Sequence, residues 1–338
     1  MALTLFGMSL ATAQDDVPEP SDYPPGSEQS QAGPVDGPYK DVPALGPARL
    51  TESGLLEVWL PDGTTVTTHG SDAVDSGFEQ GSDLPSAVLP TLPLAATSSL
   101  NPPLCVSNPL FFRVLYSFPR EKQTRLSQVR DNIREATRQA NDVLHQDGLA
   151  YSNDTKSVDL RVKCDGNGGV DVAGFDSGVP GDDDSFANVV QSAKDRGYNN
   201  SGVKYVIYFD SGRPDACGVG NVDDDDRRVP DNRHNNFTTP LYSVIYGQEC
   251  WGNGRTPLHE MGHNMGAVQR SAPNNAEGFH CDDGRDIMCT TGPLTHCSSE
   301  RFDCGENDYF DPKNPSTYLS QKWQVGWSGN ASVSISDR

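Results

Sequence analysis

The stretch His259-Glu260-Met261-Gly262-His263-Asn264-Met265-Gly266 constrains this chain more than any other. On a helix, residues four apart lie one above the other on one face, so His259 and His263 can offer two imidazoles to one metal ion. Glu260 stands beside the first of them, close enough to take a proton from a water that the metal activates. Thr256-Pro257 supplies an N-cap and a first-position proline for the helix, and Gly266 lets it stop and turn. Two imidazoles do not complete a catalytic zinc site, which usually has three strong ligands, so a third must come from elsewhere in the chain.

Two further features extend the motif. Gly266 sits three residues after the second histidine, and Asp286-Ile287-Met288-Cys289 places a methionine in a tight downstream segment. Together, H-E-x-x-H-x-x-G and a later Met-turn resemble the metzincin clan of zinc endopeptidases. Asp303-Cys304-Gly305, Asp308-Tyr309-Phe310 and Tyr318-Leu319 are similar to phrases of secreted actinobacterial metzincin-like proteins, so the resemblance covers roughly residues 105–328. It implies that Met288 forms a hydrophobic floor below the metal. It also implies that strand 241–246, just before the zinc helix, is the edge along which an extended peptide is laid.

The chain departs from the clan in one place. Where a metzincin carries its third ligand, this sequence has Gln269, and a neutral amide oxygen is a poor zinc ligand beside imidazole or carboxylate. Register favours Gln269 and chemistry favours His280, in Gly278-Phe279-His280-Cys281. The loop between them is long enough to return to the metal, and similar secreted proteins carry a Gly-His phrase before the Met segment. The expected ligand set is therefore His259, His263 and His280.

Lys+Arg is 26 and Asp+Glu is 47, a net charge of −21, which should repel nucleic acid and anionic membrane surfaces. The acid runs 182–184 and 223–226 read as solvated loops. Residues 165–171, Asp-Gly-Asn-Gly-Gly-Val-Asp, make a second candidate cation loop, for Ca2+, without the spacing or closing Glu of an EF-hand. The eight cysteines contain no C-x-x-C pair and suit disulfides in an exported protein. Proximity suggests Cys281 with Cys289 and Cys297 with Cys304, with Cys105–Cys164 and Cys217–Cys250 as the remainder. Residues 1–13 hold a short apolar run and an Ala-Thr-Ala cleavage pattern, a signal peptide lacking its charged start. The expectation is a secreted protein with no membrane insertion.

Residues 14–104 are rich in Pro, Gly, Ser and acid, and read as a mostly disordered propeptide or spacer with one hairpin near 55–68. With no cysteine before Cys105, this segment holds no thiol that could cap a zinc ion. The metallopeptidase domain is expected over 105–338. Strands are expected at 111–118, 158–162, 203–209 and 241–246, and helices at about 122–146, with Gly148 as stop, and at 185–196. This order predicts an α/β (α+β) fold: a twisted mixed sheet with packed helices, the zinc helix, and an irregular C-terminal subdomain held by disulfides. A last helix is expected at about 316–325. Trp323, Trp327 and Tyr309 read as packing residues.

The sequence thus points to a secreted, monomeric Zn2+ metalloendopeptidase acting on protein or peptide substrates, with Glu260 as general base. Two other readings stand beside it: a secreted binding or adhesion protein on a degenerate peptidase scaffold, and a zinc hydrolase of a non-peptide bond.

Overall fold

The computed structural model describes residues 40–42, 44–72, 100–108, 110–213, 215–235, 238–252, 254–276, 279–282, 286–289, 301–313 and 315–337. The expected signal peptide, most of the expected spacer and Cys297 lie outside these residues. Everything described belongs to one unit, Tyr39–Arg338.

The chain opens with β1 (Lys40–Val42), β2 (Gly46–Leu50), β3 (Leu56–Trp59) and β4 (Thr65–Thr68). There follow β5 (Leu104–Cys105), β6 (Phe111–Phe118), α1 (Leu126–Ser152), β7 (Lys156–Val162) and β8 (Val172–Asp176). Next come α2 (Phe186–Asp195), β9 (Val203–Phe209), β10 (Gly218–Gly220), β11 (Leu241–Tyr246), α3 (Gln248–Trp251), α4 (Arg255–Met265) and β12 (Val333–Asp337). The main sheet is mixed and runs β10-β11-β9-β6-β7-β12, with β5 beside β7 and β8 beside β6. β11, β9 and β6 are parallel neighbours, whereas β10 and β12 run antiparallel at the two ends.

Both faces of the central strands are covered, which is why they read as largely apolar runs. All seven residues of β9 are buried. Val206 and Tyr208 join one core with Ile133 and Leu144 of α1 and Leu258 and Met261 of α4. Val203, Tyr205, Ile207 and Phe209 point the other way, into a second core with Phe186 and Val190 of α2. The same second core contains Ala44, Leu45, Ala48, Val58 and Leu60. The N-terminal strands β1–β4, an antiparallel sheet of their own, are therefore packed into the unit rather than hanging as a lone hairpin.

Three strands and the helix α2 fall where periodicity places them; Ser185 caps α2, its Oγ accepting from the Asn188 amide. α1 overruns its expected stop at Gly148 and ends at Asn153, which adopts φ 52°. The glycine serves packing instead: a Cβ there would lie 2.9 Å from the Val158 nitrogen on β7. α4 starts two residues early, after Gly254 at φ 70°, and Gly266 at φ 79° ends it as expected. The expected helix at 316–325 is a correction. The chain there forms turns and an isolated bridge from Lys322 to Arg227, and Gln324 and Val325 are pulled into backbone contacts with Asp311 and Tyr309.

Disulfides join Cys105–Cys164, Cys217–Cys250 and Cys281–Cys289, as expected. Among the described residues, no helix is long and apolar enough to cross a membrane.

Candidate metal centre

α4 is pressed against the sheet by polar as well as apolar contacts. Asn264 is fully buried and its amide donates to the carbonyls of Asn221 (2.9 Å) and Tyr242 (3.1 Å). At the C-terminus of α4, Trp323 Nε1 and Asn330 Nδ2 donate to the Met265 carbonyl, at 2.7 and 3.2 Å. These bonds satisfy buried groups and fix the rotation of the helix. That rotation aims His259, Glu260 and His263 towards the edge at β10.

The third histidine arrives from the loop after α4. Cys281–Cys289 pins His280 next to Met288, and the Cys281 amide donates to the Met288 carbonyl (3.2 Å). Met288 Sδ packs under Gly262, where a Cβ would lie 2.5 Å from the sulfur. This puts the methionine against α4 between the two histidine turns.

The Nε2 atoms of His259 and His280 lie 3.1 Å apart, and those of His263 and His259 3.0 Å apart. In a tetrahedral zinc site with bonds of about 2.0–2.1 Å, nitrogen ligands lie about 3.3 Å from one another. Three imidazole nitrogens gathered at this spacing fit such an ion. The His259 Nδ1 proton is held by the Ile287 carbonyl at 2.7 Å, which leaves Nε2 as the ligand atom. Gln269 is elsewhere. Its Oε1 accepts from the Asp225 amide (3.1 Å), and its Nε2 lies 3.1 Å from His234 Nε2 and 3.2 Å from the Gly266 carbonyl.

Glu260 is completely buried, and neither carboxylate oxygen has a hydrogen-bond partner among the described residues. Burial, and then the nearby Asp72 carboxylate, push its pKa well above the usual carboxylate range. Burial, then the neighbouring imidazoles, hold His263 well below its ordinary value, in the neutral form a metal requires.

Two residues at this centre escaped the sequence reading. Asp72 Oδ1 is 3.0 Å from His280 Nε2, and its Oδ2 is 3.2 Å from His259 Nε2 and 3.9 Å from His263 Nε2. His69 stacks on His263, with ring centroids 3.8 Å apart, and meets His280 edge-on. Four of the chain's seven histidines therefore share one point. The only signal was that His69 is the sole histidine before residue 100, in a Gly- and Ser-rich stretch with no periodicity.

The expected peptide edge also needs correction. β11 is interior, with β9 on one side and β10 on the other, so the sheet edge beside α4 is β10. Three residues, two of them glycine, are too short to read as a strand. The glycines are needed because β10 passes over Glu260: a Cβ on Gly218 would lie 2.1 Å from Glu260 Oε1.

Tyr309 is buried away from the centre, its hydroxyl against the Asp286 carboxylate and the Phe302 carbonyl. The candidate calcium loop uses its own oxygens: Asp165 Oδ1 accepts from the amides of Asn167 (2.9 Å) and Gly169 (3.0 Å), and Oδ2 meets Arg134 (2.5 Å).

No protein-family model matches the sequence, and no curated protein matches it at a significant level. Among solved structures, metalloproteinase-II from Bacteroides fragilis is similar at 14% identity with a TM-score of 0.28, over 60% of this chain. The match spans 53% of that protein, about half its length.

Proposed function

We propose that the chain is a secreted zinc metalloendopeptidase of metzincin type, with His259, His263 and His280 as ligands and Glu260 as general base. The observation that carries this reading is the convergence of three imidazole nitrogens beside a buried carboxylate that forms no geometric hydrogen bond among the described residues. A zinc ion held by these nitrogens supplies Lewis acidity at the cleft. Glu260 would take a proton from the attacking water and pass it to the leaving amine. The backbone of β10 offers the edge along which an extended peptide can add as a strand. A structural zinc site would have no use for Glu260, which argues against the adhesion reading.

The test is a mixed peptide library incubated with the zinc-loaded chain, with and without Asp72→Asn, and read by mass spectrometry. Cuts that vanish with a chelator, return with zinc, and are absent from Glu260→Gln at unchanged zinc content are expected. A chain that binds one zinc and cuts no peptide in either form would overturn the peptidase reading and favour hydrolysis of another bond.

A further inference from the structure

Phe279, the residue before His280, has a left-handed backbone, with φ 64°. Among the described residues it is the one aromatic with a positive φ. A bulky side chain is strained there by its Cβ, whereas glycine would adopt the same backbone freely. The conformation belongs to a tight reversal of the chain. Asn275 and Cys281 form an antiparallel bridge, and the Ala276 amide donates to the His280 carbonyl (2.7 Å). A phenylalanine persists in such a turn only where its surroundings over-determine it.

The ring supplies the reason. Phe279 is 2% exposed and forms a small core with Leu55 and Val222, apart from the two large ones. Its two neighbours come from different parts of the fold. Val222 follows Asn221, whose carbonyl accepts from the Asn264 side chain of α4 (2.9 Å). The segment 221–222 therefore meets both the helix that carries His259 and His263 and the residue that precedes His280. Leu55 lies in the turn between β2 and β3, where a leucine would ordinarily be wet. The amide and the hydroxyl of Thr51 both donate to its carbonyl, each at 2.8 Å, so the turn presents Leu55 in a fixed position. The Cys281–Cys289 bridge holds His280 from its C-terminal side, and the Phe279 ring holds it from the N-terminal side.

Resting on the three-histidine reading of the metal centre, we propose that Phe279 is a positioning residue for the metal and that Leu55 completes its anchor. Burial of the ring outweighs the backbone strain and keeps the His280 turn in its ligating arrangement before a metal arrives. Without Leu55 the ring loses its seat and the turn relaxes toward ordinary φ values. Only a fraction of the chains then presents three nitrogens at once, and the apparent affinity falls by that fraction. The coupling is reciprocal, so a bound metal also holds the β2–β3 turn more firmly in place.

The experiment measures Zn2+ affinity of the full chain by competition with a chromophoric chelator, and urea unfolding of the metal-free chain, for Leu55→Ala, Leu45→Ala and His280→Ala. Leu45 stands just before β2 but packs in the second core, apart from Phe279. Leu55→Ala should weaken Zn2+ binding by about tenfold. Leu45→Ala should lower metal-free stability comparably and leave Zn2+ affinity within about twofold of the natural chain. Leu55→Met, of similar volume, should restore the affinity. Added to His280→Ala, Leu55→Ala should weaken binding no further. Unchanged affinity in Leu55→Ala, or equal losses in the two alanine variants, would overturn the anchor and leave Leu55 a merely structural residue. Natural affinity in His280→Ala would instead sink the three-histidine reading beneath it. Should Leu55→Ala unfold, Leu55→Val decides on the same measure: a loss of about threefold supports the anchor and no loss refutes it.

Discussion

Gly218→Ala is a test of where the general base sits. Gly218 does not have a left-handed backbone, so alanine adds no conformational strain. The added Cβ would nevertheless lie 2.1 Å from Glu260 Oε1, 2.5 Å from Cδ and 2.7 Å from Cγ. Carbon atoms in van der Waals contact stand about 3.5–4.0 Å apart, so the carboxylate must retreat by more than about 1 Å. A displacement of that size at a reacting group costs about a hundredfold in rate, or about 2.7 kcal/mol. None of the three nearest atoms belongs to a histidine, so zinc affinity should hold. The assay is turnover of a quenched peptide in the Asp72→Asn background, with zinc content measured on the same samples. Turnover within about threefold of the parent would refute the placement of Glu260 under β10. Loss of zinc together with turnover would show that the added methyl disturbs the histidines as well as Glu260.

Three more outcomes follow from the fold. Replacing both Cys281 and Cys289 by Ser should lower stability by about 2–3 kcal/mol, the chain-entropy cost of so short a loop; it should also weaken zinc binding, because His280 loses its tether; unchanged zinc affinity in a calorimetric titration would count against that tether. A chain beginning at residue 100 should melt well below the full chain, because it lacks Leu45, Val58 and Leu60, each worth about 1.5–3 kcal/mol of burial; equal melting temperatures would show that β1–β4 add nothing to the core. Burial pulls the Lys204 ammonium down to about 7, while the unfolded side chain keeps its proton up to its ordinary value of 10.5, so between those pH values the unfolded state binds more protons and stability rises with pH. Relative to Lys204→Met, the natural chain should gain about 1.4 kcal/mol per pH unit in urea unfolding from pH 7 upward, and a flat difference would contradict this.

The legible parts of the chain were those whose physics is local. The run of β9, apolar and aromatic but for Lys204, and the helical spacing of α2 gave their own boundaries, and the histidines four apart needed only helical geometry. His280 could be argued from ligand chemistry, because zinc prefers nitrogen and Gln269 offers only an amide. What could not be read was set by distant partners. Gly148 looks like a helix stop, but Val158 on β7 decides that it is a packing glycine. β10 carries two glycines in three residues for the sake of Glu260, forty residues on, and glycine ordinarily argues against a strand. Asp72 and His69 lie in a stretch with no periodicity at all, and only the pairing of residues 67–72 with β10 brings them to the metal centre. The turn-forming 316–325 segment has a good helix start, yet its side chains and backbone are claimed by Asp226, Asp311 and Tyr309.

The central claim is that three histidines, from α4 and from the disulfide-held loop beyond it, hold one zinc ion. Zinc affinity of His280→Ala and Gln269→Ala, measured by competition with a chromophoric chelator in the Asp72→Asn chain, tests it most directly. His280→Ala should lose several kcal/mol of zinc affinity, on the order of a thousandfold, while Gln269→Ala stays within about tenfold. The reverse order, a large loss at position 269 and a small one at 280, would contradict the account.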